Sequence, residues 1–264
     1  MISIQKEKSK SAFSLVEMAI ILTIIGILSS VALVAFDLKK GAAIRLAAIE
    51  VEEINVAISS FYDALQEMPG DFDQASKFWS SNCSGGSVSC DGDGDNVIEA
   101  YSEAHLAWYH LTLTDFYAGQ FSGTGDGDEQ TQTANINVPA SVIDGAQYAI
   151  IHYEWPEFPD EHMLILAGKT NGDIGKNSIL DANTAYELDR KIDDGSPGTG
   201  FVYGRNGYND TDWDSSNCLI DGDGNRVSNS EAKNSNWEYN MNIDSNECIM
   251  GFKFKSVSGY DIAK

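Results

Sequence analysis

Five residues of an acidic, glycine-rich loop have the types and the spacing that bind a hard cation. The stretch "DGDGDNVIEAYSE" begins at Asp91 and places Asp93 and Asp95 at alternate positions, with glycines between them. Alternate carboxylates on a tight loop can point at one Ca²⁺, and a backbone carbonyl and a further carboxylate can complete the oxygen ligands. The sequence therefore predicts a structural calcium site, rather than a solvated acidic turn, formed by Asp91, Asp93, Asp95, Val97 (through its carbonyl) and Glu99.

This loop departs from the EF-hand pattern at two positions. An EF-hand needs glycine at the sixth position and a bidentate glutamate at the twelfth. The chain has Asn96 and Ser102 at these positions, and Glu103 follows one place late. The expected site is therefore a calcium loop of another type.

A second acidic loop is a weaker candidate for a cation. The stretch "DGDGNRVSNSE" offers Asp221, Asp223 and Asn225 at alternate positions. The cationic side chain of Arg226 inside the same loop would oppose a bound cation. A solvated turn remains the alternative for this loop.

The four cysteines favour disulfide bonds over a metal site. None of them forms a CxxC pair or a Cys/His cluster, and they lie among Gly, Ser, Asn and Asp at Cys83, Cys90, Cys218 and Cys248. An even number of cysteines after a membrane-targeting N-terminus is typical of an oxidising compartment. Four cysteines allow three pairings, and their order along the chain favours Cys83 with Cys90 and Cys218 with Cys248.

No pattern in the sequence indicates catalysis. The chain has no GxSxG, HExxH, phosphate loop or GxGxxG opening a helix. Its histidines are dispersed, and acidic residues are so abundant that a pair of nearby carboxylates in 154–161 does not by itself suggest a glycosidase. We therefore expect that the protein is not an enzyme. Its formal net charge of −23 also repels nucleic acid, so we expect no nucleic-acid partner.

A carboxylate, Glu17, stands at the edge of a long apolar run. No charged residue occurs from Met18 to Phe36, a stretch that as a helix would span about 28 Å, close to the thickness of a bilayer core. A charged side chain in hydrocarbon costs several kcal/mol, so Glu17 needs a partner. The overall composition of the chain does not identify this partner.

The N-terminus resembles that of the type IV pilin and type II secretion pseudopilin family. A basic leader ends at Ala12 and is followed by "FSLVE" and the apolar run. The resemblance implies cleavage by a prepilin peptidase between Ala12 and Phe13, methylation of the new amino group, and Glu17 as the fifth mature residue. It also implies that the ammonium of Phe13 on one subunit neutralises Glu17 on its neighbour and so sets the register of a filament.

The same resemblance implies an architecture and a set of partners. The architecture is a leader at 1–12, a pilin helix at 13–68 whose part 13–38 is transmembrane or filament core, and a globular head at 69–264. The implied partners are other pilins or pseudopilins, the prepilin peptidase and an inner-membrane assembly platform. The chain would be a single-pass inner-membrane protein with a periplasmic head, and later part of a periplasmic or cell-surface filament. Structural calcium is also known among such pseudopilins, elsewhere in the head.

An ordinary secretory signal peptide is the alternative interpretation of the N-terminus. "SSVALVA" offers a small-x-small cleavage site that ends at Ala32. The mature protein would then be an exported calcium-dependent binding protein or hydrolase. This interpretation gives Glu17 no role.

Residue periodicity predicts an α+β fold with a long N-terminal helix on a head with an antiparallel sheet and short helices, and the resemblance implies that this fold is pilin-like. Apolar residues step by three and four in "IRLAAIEVEEINVAISSFYDALQEM", and Pro69-Gly70 ends the helix. Further helices are expected in 103–119 and around 185–192, and strands in 147–156, 162–168 and 248–257. The expected core stripe of the long helix is Ile44, Ala47, Val51, Ile54, Ile58, Phe61, Leu65 and Met68.

Overall fold

The architecture is seen in a computed structural model, which describes residues 14–83, 90–128, 130–153, 161–208, 216–231 and 234–254. The leader and the predicted cleavage site at Ala12 and Phe13 lie outside these residues. The chain forms two compact units, Met1–Ala42 and Ala43–Lys264.

Helix α1, Leu15–Leu65, begins with a capping box. Ser14 precedes the helix, and its Oγ accepts a hydrogen bond from the backbone N–H of Val16 at 3.3 Å. In return, Oε2 of Glu17 accepts one from the backbone N–H of Ser14 at 2.8 Å. A Ser and a Glu three residues apart satisfy the free N–H groups of a first helical turn in this way. Glu17 thus has a local role that the pattern of apolar residues did not reveal.

In the first unit, α1 has the length and the apolar surface needed to cross a membrane. An 18-residue window of this helix has a mean hydropathy of 2.7, and none of it is buried. Side chains such as Leu22, Leu28 and Phe36 are 63 to 70% exposed. A stretch of about 20 apolar residues is what a bilayer core requires. The expected membrane-spanning helix is therefore present as a helix of suitable length and polarity.

In the second unit, α1 supplies one wall of the hydrophobic core. Seven of the eight predicted stripe residues are buried, and Leu65 is half-buried. The helix ends at Leu65, three residues before the predicted end at Met68. Gln66 adopts a left-handed conformation with φ of 62°, and its side-chain amide donates to the carbonyl of Tyr62 at 3.2 Å. The helix therefore stops before Pro69-Gly70, although Met68 still packs in the core.

Four shorter helices follow in the part of the chain that the structure describes. They are α2 Ala75–Phe78, α3 Ser80–Cys83, α4 Glu103–Leu113 and α5 Ala182–Ile192. The sequence predicts α4 and α5, but α4 stops well before Gly119 because Asp115 has a left-handed φ of 57°. Phe116, which follows the end of α4, is 39% exposed.

Among the described residues, six strands form two antiparallel sheets. They are β1 Ala146–Tyr153, β2 Glu161–Gly168, β3 Val202–Asn206, β4 Leu219–Ile220, β5 Glu238–Tyr239 and β6 Cys248–Lys253. The larger sheet has the order β1-β2-β6-β3, and β4 pairs with β5. The three predicted strands correspond to β1, β2 and β6. The α+β class with an antiparallel sheet and short helices is confirmed.

A carboxylate of α1 joins the helix to β1. Glu50 accepts hydrogen bonds from the backbone N–H of Val142 at 2.9 Å, the hydroxyl of Ser141 at 2.8 Å and the hydroxyl of Tyr148 at 3.0 Å. Burial, reinforced by the charge of Glu50, raises the pKa of Tyr148 well above its ordinary value. The phenol therefore stays a donor at physiological pH.

A buried histidine links the end of α1 to the first disulfide. His110 on α4 accepts a hydrogen bond at Nδ1 from the backbone N–H of Gly70, 3.0 Å away, and its Nε2 lies 2.7 Å from the carbonyl oxygen of Cys90. Its ring stacks on Phe61 with centroids 6.0 Å apart and planes 4° from parallel. These partners fit a neutral imidazole that carries its proton on Nε2.

His110 is expected to stay neutral at pH 5. Burial lowers its pKa to about 4, although the Cys90 carbonyl and the charge of Asp91 oppose the shift. Because the unfolded chain takes up this proton near pH 6.5, the stability contributed by neutral His110 is complete above about pH 6.5 and lost as the pH falls towards 4. Nitrogen-15 NMR of histidine-labelled protein would show unchanged His110 ring shifts between pH 7 and pH 5. The imidazoles of the same sample in urea should titrate near 6.5, and protonation of folded His110 near pH 6 would contradict the expectation.

Candidate cation-binding site

Five carboxylates converge where the chain leaves α1 and enters α4. The acceptor oxygens of Asp71, Asp93 and Asp95 all lie within 4.8 Å of one another. The same holds for Asp93, Glu99 and Glu103. Asp93 belongs to both groups, and we call the five residues together the acidic cluster. Several oxygen ligands at this spacing are what Ca²⁺ requires.

Asp71 is a buried carboxylate of the acidic cluster. Only 2% of the residue is exposed. Its two oxygens accept hydrogen bonds from the backbone N–H groups of Gly94 at 2.8 Å and Asn96 at 3.0 Å. Burial raises the pKa of Asp71 to about 6, the two amides oppose the shift, and the charges of Asp95 and Asp93 add to it. The negative charges of Asp93 and Asp95 therefore destabilise the folded state beside an ionised Asp71 unless a cation neutralises them.

Glu103, in the first turn of α4, is the second buried carboxylate. The residue is 3% exposed and accepts hydrogen bonds from the backbone N–H groups of Asp93 at 2.9 Å and Glu99 at 3.4 Å. Burial and then a hydrogen bond with the Glu99 side chain raise its pKa well above the ordinary value. Two carboxylates that share a site in this way must hold a proton or a cation between them.

Close backbone contacts bring the two loops of the cluster together. A Cβ on Gly92 would overlap the carbonyl oxygen of Gly70. Gly70 has φ of +101°, and a Cβ there would lie 2.6 Å from the carbonyl oxygen of Glu103. Only glycine allows such an approach together with a left-handed conformation. The glycines thus place Asp71 against the acidic loop.

Asp91, the first residue of the predicted calcium site, is bonded to Ser76 on α2. Its carboxylate is outside both groups of converging oxygens and accepts hydrogen bonds from the backbone N–H of Ser76 at 2.7 Å and the Ser76 hydroxyl at 2.6 Å. Although burial opposes it, these bonds lower the pKa of Asp91. Because Asp91 directly follows Cys90, it is held towards α2 and serves the fold of the loop.

The remaining residues of the predicted site lie at or beside the cluster. Asp93, Asp95 and Glu99 belong to it. The backbone N–H of Val97 donates to Asp95 Oδ1 at 2.8 Å, which tightens the turn. The next residue, Ile98, donates its N–H to Nε2 of His162 on β2 at 3.1 Å and thereby fixes the loop to the larger sheet.

Sequence reasoning missed Asp71 and Glu103. Glu103 carried a signal, since it stands one place after the position where an EF-hand has its bidentate glutamate. Asp71 lies more than 20 residues before Asp93, and no local spacing connects the two. The end of α1 and the paired glycines bring it into place.

The second predicted loop forms a turn that is held by hydrogen bonds between its own residues. The carboxylate of Asp221 accepts hydrogen bonds from the backbone N–H groups of Asp223 at 3.0 Å and Asn225 at 2.8 Å, and from the Asn225 amide. The side-chain and backbone groups of Asn225 lower the pKa of Asp221. Arg226 turns to the carbonyl of Ser216, 2.9 Å away. This geometry gives no support for a second cation site.

Both disulfides have the pairing that the cysteine order favours. Cys83 is bonded to Cys90 and Cys218 to Cys248, with Cα atoms 5.5 Å and 5.0 Å apart. The first holds the start of the acidic loop against α3, and the second joins β4 to β6.

Comparisons of the chain with protein family models, with curated proteins and with solved structures found no match.

Proposed function

We propose that the protein is a pilin-like structural subunit of a type IV pilus or type II secretion pseudopilus, processed between Ala12 and Phe13. One observation carries the proposal. In the first unit of the chain, helix α1 is apolar and exposed. In the second unit, the same helix forms one wall of the hydrophobic core of a head with an antiparallel sheet. A pilin-like fold combines these two features.

The exposed apolar surface of α1 supports insertion followed by assembly. Burying such side chains contributes about 25 cal/mol per Å² of apolar area, whether lipid or another subunit covers them. In the membrane, lipid tails cover Leu22, Leu28 and Phe36. In a filament, the helices of neighbouring subunits do so. The partners are then other pilins or pseudopilins, the peptidase and an assembly platform of the inner membrane.

Glu17 is the residue that selects the register in this proposal. After cleavage, the α-ammonium of Phe13 and the carboxylate of Glu17 lie at similar membrane depth. A charge buried without a partner is strongly unfavourable, so each subunit is drawn to the position where these two groups meet. The capping box with Ser14 holds the carboxylate at the start of the helix.

We further propose that the acidic cluster binds Ca²⁺ as a structural ion of the head, with no catalytic role. The burial of Asp71 and Glu103 supports this assignment, because each shares a small volume with further carboxylates. Ca²⁺ accepts six to eight oxygen ligands in flexible geometry, which suits five carboxylates on two loops.

The intact mass of protein extracted from native membranes tests processing. We expect a chain that begins at Phe13, carries one added methyl group and gains four hydrogens on reduction, because both disulfides open. A chain that begins between Val31 and Asp37 would contradict the pilin proposal. It would favour an ordinary signal peptide and an exported binding protein or hydrolase.

A further inference from the structure

The two disulfides differ in how open their sulfur atoms are to a reductant. Cys83, at the end of α3, is half-buried, and its partner Cys90 is 4% exposed. Cys218 and Cys248 are fully buried. A thiolate must reach a sulfur atom to exchange with a disulfide, and exposed disulfides are the labile or regulatory ones. A reductant can therefore reach Cys83 in the folded head, whereas the second disulfide opens only when the head unfolds.

Backbone hydrogen bonds attach the acidic loop, 91–99, to the segment that follows α1. The backbone N–H of Gly92 donates to the carbonyl oxygen of Phe72 at 3.0 Å. The backbone N–H of Gly94 donates to the carbonyl oxygen of Asp71 at 3.1 Å and to its carboxylate at 2.8 Å. These bonds bring the carboxylates of the loop to Asp71, so the acidic cluster exists only while the loop stays attached.

The first disulfide fastens the start of this loop to α2 and α3. Cys83 ends α3, and its Sγ lies 3.7 Å from the carbonyl oxygen of Ala75 on α2. Asp91, next to Cys90, bonds to the backbone N–H and the hydroxyl of Ser76, also on α2. The disulfide closes a ring between residues seven positions apart. Such a covalent closure removes conformational freedom from the detached state of the loop.

Charge repulsion works against the attachment of the loop. Carboxylate oxygens of Asp71, Asp93 and Asp95 lie within 4.8 Å of one another. Like charges repel more strongly where water is excluded, and Asp71 is only 2% exposed. The hydrogen bonds of the loop must overcome this repulsion, and the disulfide assists them by keeping the loop close to the segment it contacts. Opening the disulfide therefore shifts the loop towards detachment.

We propose that the Cys83–Cys90 disulfide is a redox switch that controls the attachment of the acidic loop. A dithiol reductant attacks Sγ of Cys83 as a thiolate, and Cys90 leaves as a thiolate. The second thiol of the reductant then displaces Cys83 and closes a cyclic disulfide, so the dithiol supplies both electrons and both protons. The loop detaches, while the second disulfide and the larger sheet keep the rest of the head folded.

The switch also controls cation binding, an effect that rests on the proposed role of the acidic cluster as a Ca²⁺ site. A detached loop takes Asp93 and Asp95 away from Asp71, so reduction weakens the binding of Ca²⁺. Because linkage is reciprocal, Ca²⁺ opposes reduction of the disulfide by the same factor. Coupling between two sites is usually about 5- to 150-fold, and we expect about tenfold here.

Stepwise reduction of the full chain in detergent tests the switch. Treatment with graded dithiothreitol, alkylation, digestion and mass spectrometry show which cysteines are reduced. We expect Cys83 and Cys90 to be alkylated at concentrations that leave Cys218 and Cys248 bonded. Hydrogen–deuterium exchange in 91–99 should then be about tenfold faster or more, because covalent closure of a loop is usually worth more than this factor. Circular dichroism should show unchanged secondary structure.

Matched double variants separate the two disulfides. Cys83→Ser with Cys90→Ser should show fast exchange in 91–99 without any reductant, and its Kd for Ca²⁺ in calorimetric titration should rise about tenfold. The control is Cys218→Ser with Cys248→Ser, which should match the native protein in both measurements. If that control does not fold, the stepwise reduction of the native chain decides by itself.

Three results would overturn the proposal. They are simultaneous reduction of both disulfides, unchanged exchange in 91–99 once Cys83–Cys90 is open, and loss of the head's secondary structure at that step. Native protein that binds no Ca²⁺ would instead refute the calcium site, and binding of Ca²⁺ that reduction leaves unchanged would refute the coupling. None of these results bears on processing at Phe13, so failure here is distinguishable from failure of the filament proposal.

Discussion

Replacing Glu17 by Gln is expected to leave the protein in the membrane and to remove it from filaments. Glutamine at this position still accepts a hydrogen bond from the Ser14 N–H, so the capping box survives. It cannot neutralise the ammonium of Phe13 on a neighbouring subunit. Breaking one partner of a buried ion pair costs about 3–5 kcal/mol, which is about a hundredfold or more in the assembly equilibrium. Immunoblots of sheared filaments and of membranes measure the two pools.

A second pair of variants separates charge from helix capping. Ser14→Ala removes the cap hydroxyl and keeps the charge, so this variant should still assemble. Glu17→Ala removes both functions and should fail as Glu17→Gln does. Normal assembly of Glu17→Gln together with failure of Glu17→Ala would mean that the carboxylate serves only the helix terminus. The proposed ion pair would then be refuted.

Removing calcium is expected to lower the melting temperature of the head by about 5–10 °C at pH 7.5. A ligand present at a hundred times its Kd stabilises the folded state by about 2.7 kcal/mol. For a domain of this size each kcal/mol corresponds to about 2–4 °C. Thermal melts followed by circular dichroism in calcium and in chelator give the difference. Identical melts under the two conditions would show that the acidic cluster is not a calcium site.

Matched variants assign the calcium response to particular carboxylates. Glu103→Gln and Asp93→Asn should abolish the response, because both residues supply oxygens to the cluster. Glu103→Gln should also melt higher than the native protein in chelator, because the raised pKa of Glu103 makes folding at pH 7.5 take up a proton that the neutral amide does not need. Asp223→Asn is the control, an exposed residue of the other acidic loop. Its response to calcium should equal that of the native protein.

Local patterns predicted most of the secondary structure that carries the architecture. The apolar stripe of α1 repeats every three or four residues, and β1, β2 and β6 are runs of β-branched and aromatic residues. β3 has only five residues with a glycine in the middle, and β4 and β5 have two residues each. Such short strands are determined by their neighbours in the sheet, and those neighbours are distant in sequence.

In the acidic cluster, too, the sequence predicted the residues that are close together in the chain and missed those that distant contacts bring in. Asp93, Asp95 and Glu99 follow from spacing within one loop. Asp91 has equivalent spacing but bonds to Ser76, a residue 15 positions earlier that the pattern could not include. Asp71 enters the cluster because two glycines let separate loops touch. Distant contacts thus decide which carboxylates of an acidic segment converge.

The order of strands in the larger sheet determines when the head can fold during synthesis. β1 and β2 are consecutive and can pair early, whereas β3 pairs, within the described residues, with β6. Cys218 likewise cannot form its disulfide until Cys248, the first residue of β6, has been synthesised. Contacts so distant in sequence form late. A nascent chain therefore keeps β3 unpaired until β6 has been synthesised, and during that interval the unpaired strand is exposed to aggregation.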